Sequence, residues 1–305
     1  MKKRVNIYAP LRRVGGAATW ARQLTQSLNE NGYDAHDIHS IGGYLLEPLS
    51  APITHSILPF PHPLRGKYIL SLVGVYTEEP LIWSRLYPMA IRSADTVVLG
   101  SRFLQEKLNI KNAEIIPNGV EKPNWHKQDY QLIDKKPTLG VLTGFSLYEK
   151  ARGVIDLANI IKKIGADVKL VVGGTPGAFY EPIKAEVEKI GIDCDFLGYI
   201  EKDEFFKKID IFTYYSHQDV LSLALLESMS RGLPTISNPV GGTAEVYSKE
   251  TDDLLGTTPK KYAETLSALL SSVESRKKYG NLQRESATDH QWQNLVKKWI
   301  EVYER

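Results

Sequence analysis

Two hydrophobic patterns alternate along the whole chain. Short apolar runs such as Val5–Ala9 are followed by segments such as Ala17–Asn31, in which Trp20, Leu24 and Leu28 recur at helical spacing. The first pattern predicts buried β-strands and the second predicts amphipathic α-helices. Since strands that alternate with helices pair in parallel through crossover connections, the sequence predicts an α/β fold with helices on both faces of each sheet.

The individual elements follow from the same patterns and from the Gly, Pro and Asn residues that bound them. In the first part of the chain, the predicted strands are Val5–Ala9, Ala35–Ile38, Ile69–Val73, Thr96–Gly100 and Ala113–Pro117, and the predicted helices are Ala17–Asn31, Leu81–Arg92 and Arg102–Leu108. In the second part, the predicted strands are Leu139–Thr143, Val168–Val172, Asp195–Leu197, Ile211–Tyr214 and Pro234–Ser237, and the predicted helices are Val154–Ile164, Phe179–Ile190, Lys202–Lys208, Leu223–Arg231 and Thr243–Tyr247. Two more helical segments follow.

Residues 121–137 interrupt this alternation with a polar stretch bounded by prolines, which is typical of a linker. We therefore predict two domains. The first comprises residues 1–135 and is completed by a C-terminal helix at 290–305, and the second comprises residues 136–289. Because open parallel sheets bind ligands beyond the carboxyl ends of their strands, we expect a ligand-binding cleft between the domains.

Composition limits the class of protein. The 305 residues are 42% apolar and 24% charged, which suffices for two buried cores, and a net charge of +2 does not select nucleic acid as a partner. Cys194 is the only cysteine, which excludes an intrachain disulfide and a cysteine-based zinc cluster. No apolar run approaches the length of a transmembrane helix, and we expect a cytoplasmic protein. Basic residues near the start leave peripheral contact with the inner membrane face open: Lys2, Lys3, Arg4, Arg12 and Arg13.

The segment from Tyr215 to Pro234 carries the most specific chemical signal. Ser222 is a favoured helix N-cap, and Gly232 stands where a helix end favours left-handed backbone. The N–H groups at the start of this helix would suit a diphosphate, and a pair of sugar hydroxyls would satisfy the Glu227 carboxylate inside it. A helix with one acid in its middle and another before its start is also common, so the residues alone leave both interpretations open.

The same segment resembles the signature of family 4 retaining glycosyltransferases of the GT-B fold, also called glycosyl transferases group 1. In that signature seven residues separate two acids, and the following helix ends in Ala-Met-x-x-Gly-x-Pro. Here Asp219 and Glu227 have this spacing, and the helix ends in Ser228-Met229-Ser230-Arg231-Gly232-Leu233-Pro234. Further segments match the family in its order: Val14-Gly15-Gly16, Ala94–Ser101, Ile115–Val120, Asp195–Tyr199 and Pro239–Val246.

The resemblance implies two Rossmann-like domains whose parallel sheets face a central cleft. It implies transfer of a sugar from a UDP-sugar or GDP-sugar to a hydroxyl acceptor (a glycan, a lipid or a small molecule), with retention at the anomeric carbon and with no metal or other cofactor. Glu227 would accept hydrogen bonds from the ribose, and Asp219 would face the transferred sugar. The other donor contacts implied by position are Gly16, Tyr199, Val220, Leu221, Ser222 and Leu223.

Three positions depart from the family pattern. The arginine that usually follows the domain-opening strand is replaced by Phe145, which we place at the donor site by its position. The nearby cations are Lys150 and Arg152, and either would stabilise the negative charge of a departing diphosphate. Asp219 stands where glutamate is commoner, and Val73 stands where many members carry a histidine that faces the donor sugar.

Two further motifs resemble known ligand-binding motifs but match them poorly. Asp193-Cys194-Asp195 has the spacing of metal-dependent glycosyltransferases but leads into a strand far from any phosphate loop, so we expect no metal there. Gly173–Gly177 lacks the glycine spacing of a dinucleotide loop, so we expect a tight turn.

Two other kinds of function remain open. One is an epimerase or phosphorylase on the same fold. The other is a non-catalytic sugar-nucleotide-binding protein, which the departures at Val73 and Phe145 would favour.

Overall fold

The computed structural model describes residues 2–9, 15–39, 51–59, 66–76, 81–127 and 136–305, with only the backbone at 81 and 83. Arg12, Arg13, Val14 and residues 128–135 of the predicted linker lie outside this part of the chain. The chain divides into two compact units, Met1–Glu121 with His290–Arg305 and Lys122–Asp289.

The described strands and helices alternate in both units. The strands are β1 (Arg4–Tyr8), β2 (Asp34–Ile38), β3 (Ile53–Ser56), β4 (Lys67–Leu72), β5 (Thr96–Leu99), β6 (Glu114–Ile115), β7 (Thr138–Leu142), β8 (Lys169–Gly173), β9 (Cys194–Gly198), β10 (Ile211–Tyr214) and β11 (Thr235–Ser237). The α-helices are α1 (Gly16–Glu30), α2 (Leu81–Ser93), α3 (Arg102–Leu108), α4 (Tyr148–Ala151), α5 (Gly153–Ile164), α6 (Tyr180–Ile190), α7 (Lys202–Lys207), α8 (Leu223–Ser230), α9 (Pro259–Ser271), α10 (Val273–Ala287) and α11 (Trp292–Glu304).

The first unit is built on a parallel sheet with the strand order β2-β1-β3-β4-β5-β6. Its core includes α11, although this helix is separated from the rest of the unit by the whole second unit in sequence. The apolar residues of α11 recur every three to four positions, which gives the helix one apolar face. That face contributes Trp292, Trp299 and Tyr303 to the same buried cluster as β1 and α1.

Strand β3 was not predicted from the sequence, and its side chains explain why. Its four residues are all buried, but three of them are polar, so the segment lacks the apolar pattern of a buried strand. Tertiary contacts satisfy the imidazole of His55. Its Nδ1 lies 2.7 Å from the Tyr303 hydroxyl on α11, and its Nε2 lies 2.7 Å from the Ser71 hydroxyl on β4.

The second unit is built on a parallel sheet with the strand order β11-β10-β7-β8-β9. Its core is an apolar cluster that joins β7, β8 and β10 to α5, α6 and α9. Residues 122–127 belong to this unit, where Lys127 Nζ donates to Ile209 O at 2.8 Å and pairs with Asp210 at 3.1 Å. Since β10 and β7 are neighbours at the centre of the sheet, the loops that follow them meet at the same edge.

The predicted α/β class and the two parallel sheets are confirmed. The strands and helices predicted up to residue 237 are present, with bounds that differ by at most two residues. Three α-helices, α9, α10 and α11, close the chain where two helical segments were predicted. Residues 243–247 differ in type, because Thr243–Val246 forms a 3₁₀-helix in place of the predicted short α-helix. Gly173 ends β8, and the chain bends at Gly174, whose N–H donates to Gly198 O at 2.9 Å.

Candidate functional site

The backbones of two other segments pack closely against the loop that joins β10 to α8. Gly153 begins α5, and a Cβ at this residue would lie 1.8 Å from the carbonyl oxygen of Tyr215. Gly241 has a φ of +58°, and a Cβ there would lie 2.1 Å from the carbonyl oxygen of Asp219. Only glycine permits such close approach of one backbone to another. The two glycines therefore determine where the backbone of this loop runs.

Asp219 lies in this loop and receives hydrogen bonds at both carboxylate oxygens. Oδ2 accepts a hydrogen bond from Lys150 Nζ at 2.7 Å and another from the Tyr214 hydroxyl. Oδ1 accepts a hydrogen bond from the N–H of Val220 at 2.8 Å. The side chain of Asp219 is 12% exposed and that of Lys150 is 28% exposed, so the pair is largely but not fully buried.

The surroundings fix the charges of this cluster. Burial lowers the pKa of Lys150, but the carboxylate of Asp219 and the hydroxyl of Tyr214 outweigh this effect and raise the pKa above its ordinary value. Burial raises the pKa of Tyr214, and the charge of Asp219 raises it further. Lys150 is therefore an ammonium at neutral pH, and Tyr214 is a neutral hydrogen-bond donor.

Arg152 lies close in sequence but contacts a different acid. Its Nε donates to Glu149 Oε2 at 2.8 Å. The carbonyl oxygen of Glu149 in turn accepts a hydrogen bond from the N–H of His217 at 3.1 Å, and His217 Nε2 lies 2.7 Å from Asp156. Of the two cations that the sequence could not separate, Lys150 is the one in contact with Asp219.

Helix α8 begins directly after this loop. Ser222 is its N-cap, as predicted, and its hydroxyl accepts a hydrogen bond from the N–H of Leu225 at 3.4 Å. Leu221 and Ser222 are buried and Leu223 is half-buried. The first-turn N–H groups of a helix have no partners within the helix and carry the positive end of its dipole. This end of α8 lies next in sequence to Asp219.

Glu227 lies inside α8 and is almost fully buried, with 7% of its side chain exposed. Its Oε1 accepts a hydrogen bond from Nζ of Lys202, the first residue of α7. Its carbonyl oxygen accepts a hydrogen bond from Arg231 Nη1 at 3.0 Å, and Arg231 also pairs with Asp203 at 2.6 Å. Both acids of the sequence signature are therefore neutralised by a lysine from another helix.

The remaining predicted donor residues occupy three different environments. Phe145 is fully buried and packs edge to face on Tyr180, with ring centroids 4.9 Å apart, so its side chain belongs to the core of the second unit. Tyr199 follows β9, is 66% exposed and donates its hydroxyl hydrogen to Glu201 at 3.0 Å. Gly16 begins α1 in the first unit.

Both acids of the Asp-x-Asp motif form ion pairs. Lys136 Nζ lies 3.0 Å from Asp193, and Lys169 pairs with Asp195. Within the described residues, no group of three His, Cys, Asp or Glu side chains is placed to hold a metal ion. Among the helices of the same residues, none has the length and apolar character to cross a bilayer.

Sequence reasoning missed Tyr214 and Lys202, which contact the two acids. Tyr214 had a usable signal, because it ends a strand five residues before Asp219 and the carboxyl ends of parallel strands are where ligands bind. Lys202 had no such signal, since the contact between α7 and α8 joins residues 25 apart in the chain.

A family model described as glycosyl transferases group 1 matches residues 124–286, which is more than half of the chain. Spore coat protein SA of Bacillus subtilis (strain 168) is 32% identical over an alignment of 128 residues, and the match covers 36% of this chain and 34% of that protein. The chain's matches span between a quarter and about half of the length of its curated relatives.

Two solved structures share the fold over nearly the whole length of both chains. Sucrose-phosphate synthase from Thermosynechococcus elongatus superposes with a TM-score of 0.83 at 15% identity, over 99% of this chain and 98% of that chain. HepE from Anabaena in complex with UDP superposes with a TM-score of 0.79 at 12% identity, over 99% of each chain. At these identities the likeness shows the GT-B fold alone.

Proposed function

Because the chain belongs to the glycosyl transferases group 1 family, we propose that it transfers a sugar from a nucleotide-diphosphate donor to a hydroxyl acceptor, with retention at the anomeric carbon. The observation that carries the proposal is the pair of largely buried carboxylates at α8. Asp219 lies at the start of the helix and Glu227 inside it, and each is in contact with a lysine. Burial of a carboxylate is costly even when a lysine pairs with it, so two of them on one short segment favour a binding role.

In this proposal the two acids bind different parts of the donor. Glu227 accepts hydrogen bonds from the ribose hydroxyls, while the first-turn N–H groups of α8 bind the diphosphate. Asp219 faces the sugar that is transferred. Tyr199, exposed at the end of β9, borders the base. UDP-sugars are the first donors to test, since the structurally similar HepE was solved in complex with UDP.

Lys150 is the cation that we assign to the departing diphosphate. Its ammonium lies 2.7 Å from Asp219, whereas Arg152 pairs with Glu149. A cation held where negative charge develops lowers the barrier to bond cleavage, and it performs this role without a metal ion. The hydroxyl acceptor is a glycan, a lipid or a small molecule.

A non-catalytic donor-binding protein is the second candidate, and one observation favours it. Where the family pattern has an arginine, this chain has Phe145, whose side chain is buried in the core. A variant site with one cation fewer would bind a donor with less stabilisation of the leaving group. Donor binding without hydrolysis or transfer to any acceptor would support this candidate over the transferase.

The test is a thermal-shift screen against UDP-, GDP- and ADP-sugars, followed by titration of the best ligand. A ligand at 100 times its Kd adds about 2.7 kcal/mol to the free energy of unfolding, which gives a clear shift in Tm. Glu227→Ala removes charge-assisted hydrogen bonds worth about 1.5–3 kcal/mol, so donor affinity should fall about 10- to 150-fold. Glu188→Ala, at an exposed acid on α6, should bind the donor like the wild type. Unchanged affinity in Glu227→Ala would refute the assignment of this residue.

A further inference from the structure

Helix α2 has one side fixed to its unit and another side that is exposed. Ala90 is fully buried, and the Tyr87 hydroxyl donates to the carbonyl oxygen of Ile57 at 3.3 Å. Away from these contacts, Ile82 is 64% exposed and Met89 is 58% exposed. Single exposed apolar residues are ordinary on protein surfaces, but two on the same side of one helix form a patch.

Two arginines share this exposed side. Each helix residue turns by about 100°, so positions 82, 85, 89 and 92 lie within about 80° of one another on the helix surface. Arg85 and Arg92 are both exposed. The helix contains no Asp or Glu between residues 81 and 93. The exposed stripe therefore alternates apolar and cationic side chains.

We propose that this α2 face, formed by Ile82, Arg85, Met89 and Arg92, docks on an anionic lipid surface. Helices that lie at a membrane interface combine apolar side chains, which enter the boundary between headgroups and acyl chains, with arginines or lysines that bind the anionic headgroups. Both groups point the same way here, and the face carries charge complementary to that surface. The interaction depends on no residue of the donor site.

Charge disfavours other occupants of the α2 face. A symmetric contact with a second copy of this chain would bring the same patch together with itself, and the arginines of both copies would repel one another. A nucleic acid would accept the arginines but would leave the side chains of Ile82 and Met89 without an apolar partner. A lipid surface satisfies both kinds of side chain.

Vesicle flotation tests the proposal. The wild-type protein should float with vesicles of phosphatidylcholine and phosphatidylglycerol in equal parts and should bind pure phosphatidylcholine much less. Arg85→Gln with Arg92→Gln should weaken binding to the anionic vesicles about 30-fold, from about 1 kcal/mol per arginine. Ile82→Ser with Met89→Ser should weaken binding to the same vesicles, and raised salt should weaken the wild type.

Two controls separate this effect from other causes. Lys162→Gln with Lys277→Gln removes the same charge from exposed positions of the second unit and should leave vesicle binding unchanged. Glu227→Ala should also bind vesicles normally, which keeps this proposal separate from the proposed function. Wild-type protein that does not float with anionic vesicles would overturn the proposal. So would light scattering that shows a dimer dissociated by the α2 substitutions without any lipid binding.

Discussion

At the scale of single residues, the two acids of the site differ in how they are held. Asp219 is bound by a lysine 69 residues away and by a tyrosine five residues away, whereas Glu227 is bound by a lysine 25 residues away. A largely buried carboxylate that loses its cation is destabilised, so removal of either lysine alters stability as well as binding. Functional tests at this site therefore need a control that carries a similar loss of charge.

The neighbouring cations provide such a control. Lys150→Met should lower kcat/KM by about 10²–10³, because it removes the positive charge that stabilises the leaving diphosphate. Arg152→Met removes the same charge two residues away, where the partner is Glu149, and should cost less than about tenfold. Steady-state kinetics with the donor identified by the binding screen makes the comparison. A larger loss in Arg152→Met would reassign the diphosphate contact.

The sequence could not separate these two residues, and the reason is physical. Both are cations in one short segment, with Lys150 inside α4 and Arg152 between α4 and α5, so the direction in which the backbone turns there determines their partners. One partner, Glu149, is local, whereas the other, Asp219, comes from a different strand and its loop. The signature acids themselves were identifiable, because their spacing within one helix and its preceding loop is a local property.

At the scale of elements, the loop between β10 and α8 depends on close contact with the segment around Gly241. Gly241→Ala would place a methyl group 2.1 Å from the carbonyl oxygen of Asp219, so the loop or its neighbour must shift. Since a displacement of about 1 Å at a reacting centre can cost about 10²-fold, we expect a loss of activity of that size. Calorimetry and kinetics measure the stability and activity of the variant.

Gly165→Ala is a control that separates the cost of a positive φ from the steric clash expected in Gly241→Ala. Gly165 is the C-cap that follows α5 and has a φ of +64°, close to the +58° of Gly241, but nothing lies within 4 Å of the Cβ that alanine would add. Both variants share the cost of a left-handed backbone, which is about 1–2 kcal/mol. Only Gly241→Ala should lose activity. Equal activity in the two variants would show that the contact with Asp219 has no role in the site.

The periodicity of apolar residues predicted the strands and helices whose buried side chains are apolar. It did not predict β3, whose buried side chains are mostly polar. The amphipathic helices and the apolar strands were identified to within one or two residues. Strand β3 was missed because Thr54, His55 and Ser56 are buried polar residues, and a strand of this kind is recognisable only when its partners are known. Those partners, Ser71 and Tyr303, are distant in sequence from His55.

At the scale of the whole molecule, the first unit depends on α11. His55 on β3 packs against this helix, with its ring centroid 4.9 Å from that of Trp299. Burial lowers the pKa of His55 to about 3, from an ordinary value of 6.5. The folded unit therefore keeps this imidazole neutral at pH values where the unfolded chain binds a proton.

The sign of the pH effect follows from this difference. His55 contributes its full stabilisation above pH 6.5, and the contribution falls as the pH decreases toward 3. At pH 5 the loss should be about 2 kcal/mol, from about 1.4 kcal/mol per pH unit. Denaturant unfolding followed by the fluorescence of Trp20 and its neighbours at pH 7 and about pH 5 measures it. His55→Gln should lose about 2 kcal/mol less than the wild type between these values, and parallel behaviour of the two proteins would contradict the assignment.

The position of α11 also has a consequence for synthesis on the ribosome. The second unit is continuous in sequence, so all of its residues leave the exit tunnel before residues 292–304 do. The middle of the chain can therefore reach its native state first, while the earliest-made segment waits for its last helix. Until then, the apolar surface of β1 and α1 that α11 covers stays open to chaperones.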